Sequence, residues 1–200
     1  MSDYKPTAAD VKALREMTGA GMLEVRDVLV ETAGDIDDAK RMLRERGQAK
    51  AAKLAGRETS EGSVGAYIHP GAQKGVLIEV RCNTDFVANS DAFKAFVKDM
   101  LLQIVSSDGT RWVSVDDVPA ESKQMELDVY RAQAEDKPEA IREKIAEGKL
   151  GKWYEEVVLL NQPYFRDDKL TVEQVRAGLS RETGENIEIK RFASFVVGGA

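Results

Sequence analysis

The stretch from Val76 to Asn89 constrains this chain more than any other. Val76 to Val80 is an apolar run with strand-type alternation. It leads into Cys82-Asn83-Thr84-Asp85-Phe86-Val87-Ala88-Asn89, and a helical pattern begins at Ser90-Asp91. An acid and a bulky aromatic therefore sit side by side on a strand-to-helix connection. Connections run over the surface, so a Phe at this place is poorly sited to serve the core. Exposed, the Asp85-Phe86 pair reads as a wedge: the ring fills an apolar slot and the carboxylate engages donors or repels anions. The plainer reading is a helix cap followed by a core aromatic, since polar residues ahead of a helix usually cap it.

Around this connection the pattern is α+β. Thr7 caps a first helix with Asp10 in its first turn, and Val11, Leu14 and Met17 recur at helical spacing. Gly19-Ala20-Gly21 breaks it. Met22, Val25, Val28 and Leu29 stripe a second helix, which ends at Ala33-Gly34. Asp35 caps a third, striped by Ile36, Ala39, Met42 and Leu43 and closed by Gly47. A Lys/Ala-rich helix and a polar hinge follow over residues 48–61. Residues 1–56 thus read as a helical N-terminal module with a linker helix, and 57–200 as an α+β core. That core comprises a hairpin over 63–82 turning at Pro70-Gly71-Ala72-Gln73, the connection 83–89, helices within 90–183, and a final strand over 187–197. Phe93, Phe96, Val97, Met100, Leu101 and Ile104 make the helix after Ser90 strongly amphipathic. Further helices start at Pro119 and Pro138, cover Trp153 to Leu160, and run from Leu170 to Thr183. The last strand pairs with the hairpin, giving a small antiparallel sheet covered by helices.

Composition narrows the function. The 200 residues carry a net charge of −6, which argues against a general nucleic-acid binder, because phosphate binding needs clustered Lys and Arg. Acids and bases nearly balance over residues 1–57, so the acidic excess lies in the core. No apolar run reaches the ~18 residues of a transmembrane helix, and Met1 to Pro6 shows no export or transit pattern. The single Cys82 fits a reducing cytoplasm. Metal-ligand spacing and a phosphate-cradling loop are both missing, so no metal, no cofactor and no bound GTP are expected.

Thr84-Asp85-Phe86-Val87-Ala88 resembles the signature of the translation elongation factor Ts family, the guanine nucleotide exchange factors for elongation factor Tu. Thr18-Gly19-Ala20-Gly21-Met22 resembles that family's N-terminal signature, and the two motifs occur in the family's order. The helical module is similar to ubiquitin-associated domains, a fold the family shares at its N-terminus. The resemblance implies a cytoplasmic protein that binds elongation factor Tu, mainly its GTPase domain, and promotes GDP release without covalent chemistry. It implies Phe86 as the wedge and Asp85 as the polar contact, with Thr84 and Val87 shaping the connection. By motif position it implies Lys12, Arg15, Met22, Leu23 and Arg26 as the docking residues of the helical module. Leu23 departs mildly from the Met-Met of the family, and one member of each helix stripe must also serve the module's core, so not all five are expected to be contacts.

Gly65-Ala66-Tyr67-Ile68-His69 resembles a Gly-Ser-Tyr-x-His stretch near the Tu interface, which makes His69 a further contact. In longer members that stretch belongs to a second core subdomain, so this chain resembles the short form with one. The resemblance leaves open a homodimer in which a second copy supplies the missing half. Gln162-Pro163-Tyr164 resembles a Gly-Gln-Pro-Phe stretch and is read as packing. Two other classes stay open: an adaptor that uses the ubiquitin-associated-like module without exchange activity, and a thiol hydrolase built on Cys82 with His69 and Asp85.

Overall fold

The computed structural model describes residues 4–54, 56–107 and 109–199, leaving aside the side chains of 48 and 50–52. Met1–Asp3, within the stretch read as free of targeting signals, and Ala55, in the linker, lie outside the described residues. The order of elements is α1 (Ala8–Thr18), α2 (Met22–Glu31), α3 (Ile36–Leu54), β1 (Glu61–Ile68), β2 (Lys74–Cys82), α4 (Asp85–Ala88), α5 (Asp91–Ser106), α6 (Ala120–Ala132), α7 (Glu139–Val157), β3 (Pro163–Tyr164), β4 (Asp167–Thr171), α8 (Val172–Thr183) and β5 (Glu188–Val196). The fold is α+β. Its antiparallel sheet has the strand order β1-β2-β5, so the last strand pairs beside the local hairpin as expected. Two compact units are present: residues 1–63, 80–96 and 174–188 form one, and 64–79, 97–173 and 189–200 the other.

In the first unit, α1 opens with a reciprocal cap. Thr7 Oγ1 accepts from Asp10 N at 3.2 Å, and Thr7 N donates to Asp10 Oδ2 at 2.9 Å. Thr7 Oγ1 also donates to Asp10 Oδ2 at 2.7 Å, and this bond, followed by the one from Thr7 N, holds the Asp10 carboxyl below its ordinary range. α2 ends where Gly34, at φ +86°, donates to Leu29 O, and Asp35 then caps α3 through Asp38 N at 2.9 Å. Val11, Leu14, Ala20, Val25, Val28, Leu29, Ala39 and Leu43 form one buried cluster. Met17 leaves its stripe: it is exposed, and Ala20 fills the core instead.

Gly47 does not close α3, which continues to Leu54. This glycine answers a close approach instead. A Cβ there would lie 2.6 Å from Nη1 of Arg181 on α8. That guanidinium donates to Leu43 O at 3.1 Å and to Thr18 O.

The connection 83–89 also differs from expectation. Asp85–Ala88 is a helical turn, because Thr84 takes an extended conformation and caps it through Val87 N. Along β2, Val76, Ile78, Val80 and Cys82 are buried while Leu77 is exposed, as alternation requires. Phe93, Phe96, Val97, Met100, Leu101 and Ile104 of α5 are all buried.

In the second unit, α6 packs against α7, and Arg131 holds Glu143 through Nε at 2.9 Å and Nη2 at 2.9 Å. α7 runs unbroken past Glu147 through Gly148 and Gly151, where the expectation was two helices. Burial of Ala146, Leu150 and Val157 carries it across the glycines. The short β3–β4 hairpin, not anticipated, takes up Leu170 and Thr171, so α8 begins later than expected, at Val172. A buried amide network fixes this region. Gln103 Nε2 donates to Gln162 Oε1 at 3.1 Å, and Gln162 Nε2 donates to Thr110 Oγ1 at 2.7 Å and to Glu156 O at 3.0 Å. Gln162 is thus a packing residue with satisfied polar groups.

Candidate functional site

The turn Asp85–Ala88 has two faces. Val87 and Ala88 point inward, with Val87 6% exposed, while Phe86 is 83% exposed and Asp85 is exposed beside it. The plainer reading of Phe86 as a core aromatic is thereby excluded. Its cap is Thr84 rather than Asp85. After the turn, Asn89 N donates to Asp85 O at 3.0 Å, and Ser90 Oγ donates to Val87 O at 2.7 Å and accepts from Phe93 N at 3.2 Å. The aromatic therefore stands on a turn joined on one side to β2 and on the other to the capped start of α5.

The approach to that turn is braced by residues distant in sequence. Glu185 Oε2 accepts from Asn83 N at 3.0 Å and from Thr84 N at 3.1 Å, and Glu185 Oε1 accepts from Thr84 Oγ1 at 2.6 Å. Asn83 Oδ1 accepts from Asn186 N at 2.8 Å, and Asn83 Nδ2 donates to Glu58 O at 2.5 Å. Asn186 Nδ2 in turn donates to Arg57 O at 3.2 Å. Sequence reasoning missed Asn83, Glu185 and Asn186. The one available signal was their position, a Glu-Asn pair directly after the helix-ending Gly184, whose φ is +73°.

The second surface lies on the helical module. Lys12, Arg15, Met22, Leu23 and Arg26 all line one cleft of about 820 Å³, together with Val11, Gly19 and Glu182. The five are exposed, with Met22 and Leu23 61% and 67% so. The bundle core is served by other residues, so none of the five is withdrawn into it. Two cations are locally balanced: Arg26 bonds Asp27 at 2.7 Å and Lys12 lies 3.9 Å from Glu16. Arg15 makes no ion pair among the described residues. Apolar side chains flanked by cations suit a partner surface that is part apolar and part acidic.

His69 is exposed in the β1–β2 turn. Its Nδ1 lies 3.5 Å from Tyr67 Oη, and its backbone N donates to Lys74 O. Cys82 is fully buried and donates through Sγ to Thr84 O at 3.2 Å. Burial, followed by the charge of Glu185, pushes its thiol pKa up. A nucleophilic thiol needs the opposite shift, so the hydrolase reading loses its basis. Among the described residues no group of His, Cys, Asp and Glu could hold a metal ion, and no helix is long and apolar enough to cross a membrane.

Comparison with known proteins finds matches over nearly the whole chain. The family model Elongation factor TS matches residues 4–199. The chain is 48% identical over 190 residues to elongation factor Ts of Anaeromyxobacter sp. (strain Fw109-5), covering 94% of this chain and 86% of that protein. It is 46% identical over 194 residues to elongation factor Ts of Geobacter sulfurreducens, covering 96% and 89%. To elongation factor Ts of Prochlorococcus marinus (strain MIT 9301) it is 43% identical over 194 residues, with the same coverage of each. The chain belongs to the elongation factor Ts family of translation elongation factors.

Proposed function

We propose that this protein binds elongation factor Tu in its GDP state, mainly on the GTPase domain, and promotes GDP release. The observation that carries the reading is Phe86. An aromatic that is 83% exposed on a turn anchored at both ends is a rigid apolar projection. Such a residue gains little in the free protein and much when a partner covers it. Asp85 supplies charge beside it, while Thr84 caps the turn and Val87 roots it.

Exchange of this kind needs no acid, base or covalent step. It is a coupling free energy: a factor that binds Tu best when the nucleotide site is distorted must weaken nucleotide binding by the same factor. The cleft of Lys12, Arg15, Met22, Leu23 and Arg26 supplies affinity and orientation, and Asp85-Phe86 supplies the distortion. Residues 1–56 act in this scheme as the docking module and 57–200 as the core that carries the wedge. The factor works in the cytoplasm without cofactor, metal or nucleic acid.

His69 is a further contact in this scheme. A second copy of the chain takes the place of the missing subdomain, and the exposed Ile68, Leu77, Phe195 and Val197, which line one depression on the sheet, support that pairing.

The test is release of a fluorescent GDP analogue from elongation factor Tu at fixed Mg²⁺, with and without the protein. Acceleration supports exchange. Binding to Tu without acceleration would favour the adaptor role instead.

A further inference from the structure

We propose that Glu185 is a positioning residue for exchange, setting the direction in which Phe86 projects; this rests on the exchange reading above. The turn that carries Phe86 has only four helical residues. A single helical turn is not stable by itself, because nucleation fixes several dihedrals for one hydrogen bond. Its orientation must come from its anchors.

Between the end of β2 at Cys82 and the start of the turn at Asp85, the backbone N–H groups of Asn83 and Thr84 both go to one carboxylate oxygen of Glu185. The other oxygen takes the Thr84 hydroxyl proton at 2.6 Å. That last bond has a consequence for the turn. A hydroxyl has one proton and two lone pairs. Once Glu185 takes the proton, a lone pair of Thr84 Oγ1 is left to accept from Val87 N, at 3.4 Å. The carboxylate thus orients the cap that starts the helical turn, two residues before Phe86. An ionised carboxylate accepts all three donors with charge-assisted bonds. An amide in its place has one acceptor oxygen: set on the two backbone N–H groups, it turns its NH₂ to the Thr84 hydroxyl, which must then accept that bond instead of donating it.

Glu185 is itself held. Gly184 ends α8 in the left-handed region and donates to Ser180 O, and Glu185 N donates to Thr183 Oγ1 at 3.4 Å. Four residues upstream, Arg181 on α8 bonds Thr18 O and Leu43 O of the helical module, and Glu182 lines the docking cleft. The C-terminal end of α8 therefore grips both candidate binding elements, the docking module through Arg181 and the wedge through Glu185. It fixes their spacing, which is what converts docking into distortion.

The test uses the full chain and the same release assay, read as a function of protein concentration. Glu185→Ala is expected to lower the maximal release rate roughly tenfold while leaving the half-saturating concentration within about twofold. Glu185→Gln, which keeps the shape, is expected to fall between it and the wild type. A purely structural role gives the reverse split: a smaller folded fraction raises the half-saturating concentration and leaves the maximum unchanged, and that result overturns the proposal. If Glu185→Ala does not fold, Thr84→Val removes the hydroxyl with both its bonds, the one to Glu185 and the cap on Val87 N, and must lower the maximum in the same way. Wild-type protein that fails to accelerate release overturns the exchange reading and this inference together. Wild-type acceleration with an unchanged maximum in the variants overturns the inference alone.

Discussion

The guanidinium of Arg181 occupies the space that a Cβ on Gly47 would fill, with Nη1 2.6 Å from the ideal position of that atom. Its bonds to Leu43 O and Thr18 O tie α8 to α3 and to the end of α1. Gly47 is therefore space kept for Arg181 inside a helix rather than the end of one.

Alanine is the better helix former by about 1 kcal/mol. At an open helical site Gly→Ala would stabilise by that amount. Here Gly47→Ala must displace a doubly bonded guanidinium, and charged hydrogen bonds are each worth roughly 1.5–3 kcal/mol. The expected outcome is a net loss of about 1–2 kcal/mol, measured by urea unfolding. A gain in stability would show that Arg181 moves aside freely.

Neighbouring residues of the α4 turn should separate stability from function. Phe86→Ala removes an exposed ring and should change unfolding free energy by less than about 0.5 kcal/mol. Val87→Ala opens space in the core and should cost about 1–2 kcal/mol. Equal costs for the two would mean that Phe86 packs in the free protein.

Asp99 gives the pH prediction. Burial pushes its carboxyl up, but hydrogen bonds from Arg166 at 2.6 Å and Tyr164 at 2.5 Å outweigh that, and its pKa lies below the ordinary 3.8. Tyr164, buried against this carboxylate, is pushed up to about 12. Because the folded pKa of Asp99 is depressed, its contribution is present above the unfolded value and is lost as pH falls through the folded value. Asp99→Asn should cost about 1–2 kcal/mol at neutral pH, the exposure of Arg166 holding the figure down. In urea melts the gap to wild type should close as pH falls below the ordinary carboxylate range and through the depressed folded value. A gap that persists undiminished in acid would assign the effect to packing.

The legible parts of the fold were those written in local pattern. The caps at Thr7 and Asp35, the hairpin around Pro70-Gly71 and the amphipathic α5 follow from residues within a turn or two of one another. Gly47 misled for a physical reason: glycine signals both a helix end and a close approach, and only tertiary packing decides. The β3–β4 hairpin was hidden because Gln103 and Gln162, far apart in sequence, bury each other. At the candidate site, Phe86 and the five cleft residues could be named from motifs. Their support could not. Glu185 meets Thr84 across about a hundred positions, and no local period encodes a single long-range hydrogen bond.

Two separable surfaces should give two separable kinetic defects, and the most direct test is the concentration dependence of GDP release from elongation factor Tu. Phe86→Ala should lower the maximal rate at least about tenfold with little change in half-saturation. Leu23→Asp combined with Arg15→Glu should raise the half-saturating concentration at least about tenfold and spare the maximum. If Phe86→Ala instead kept the full maximal rate, the assignment of the exposed Phe86 as the element that loosens nucleotide would be contradicted.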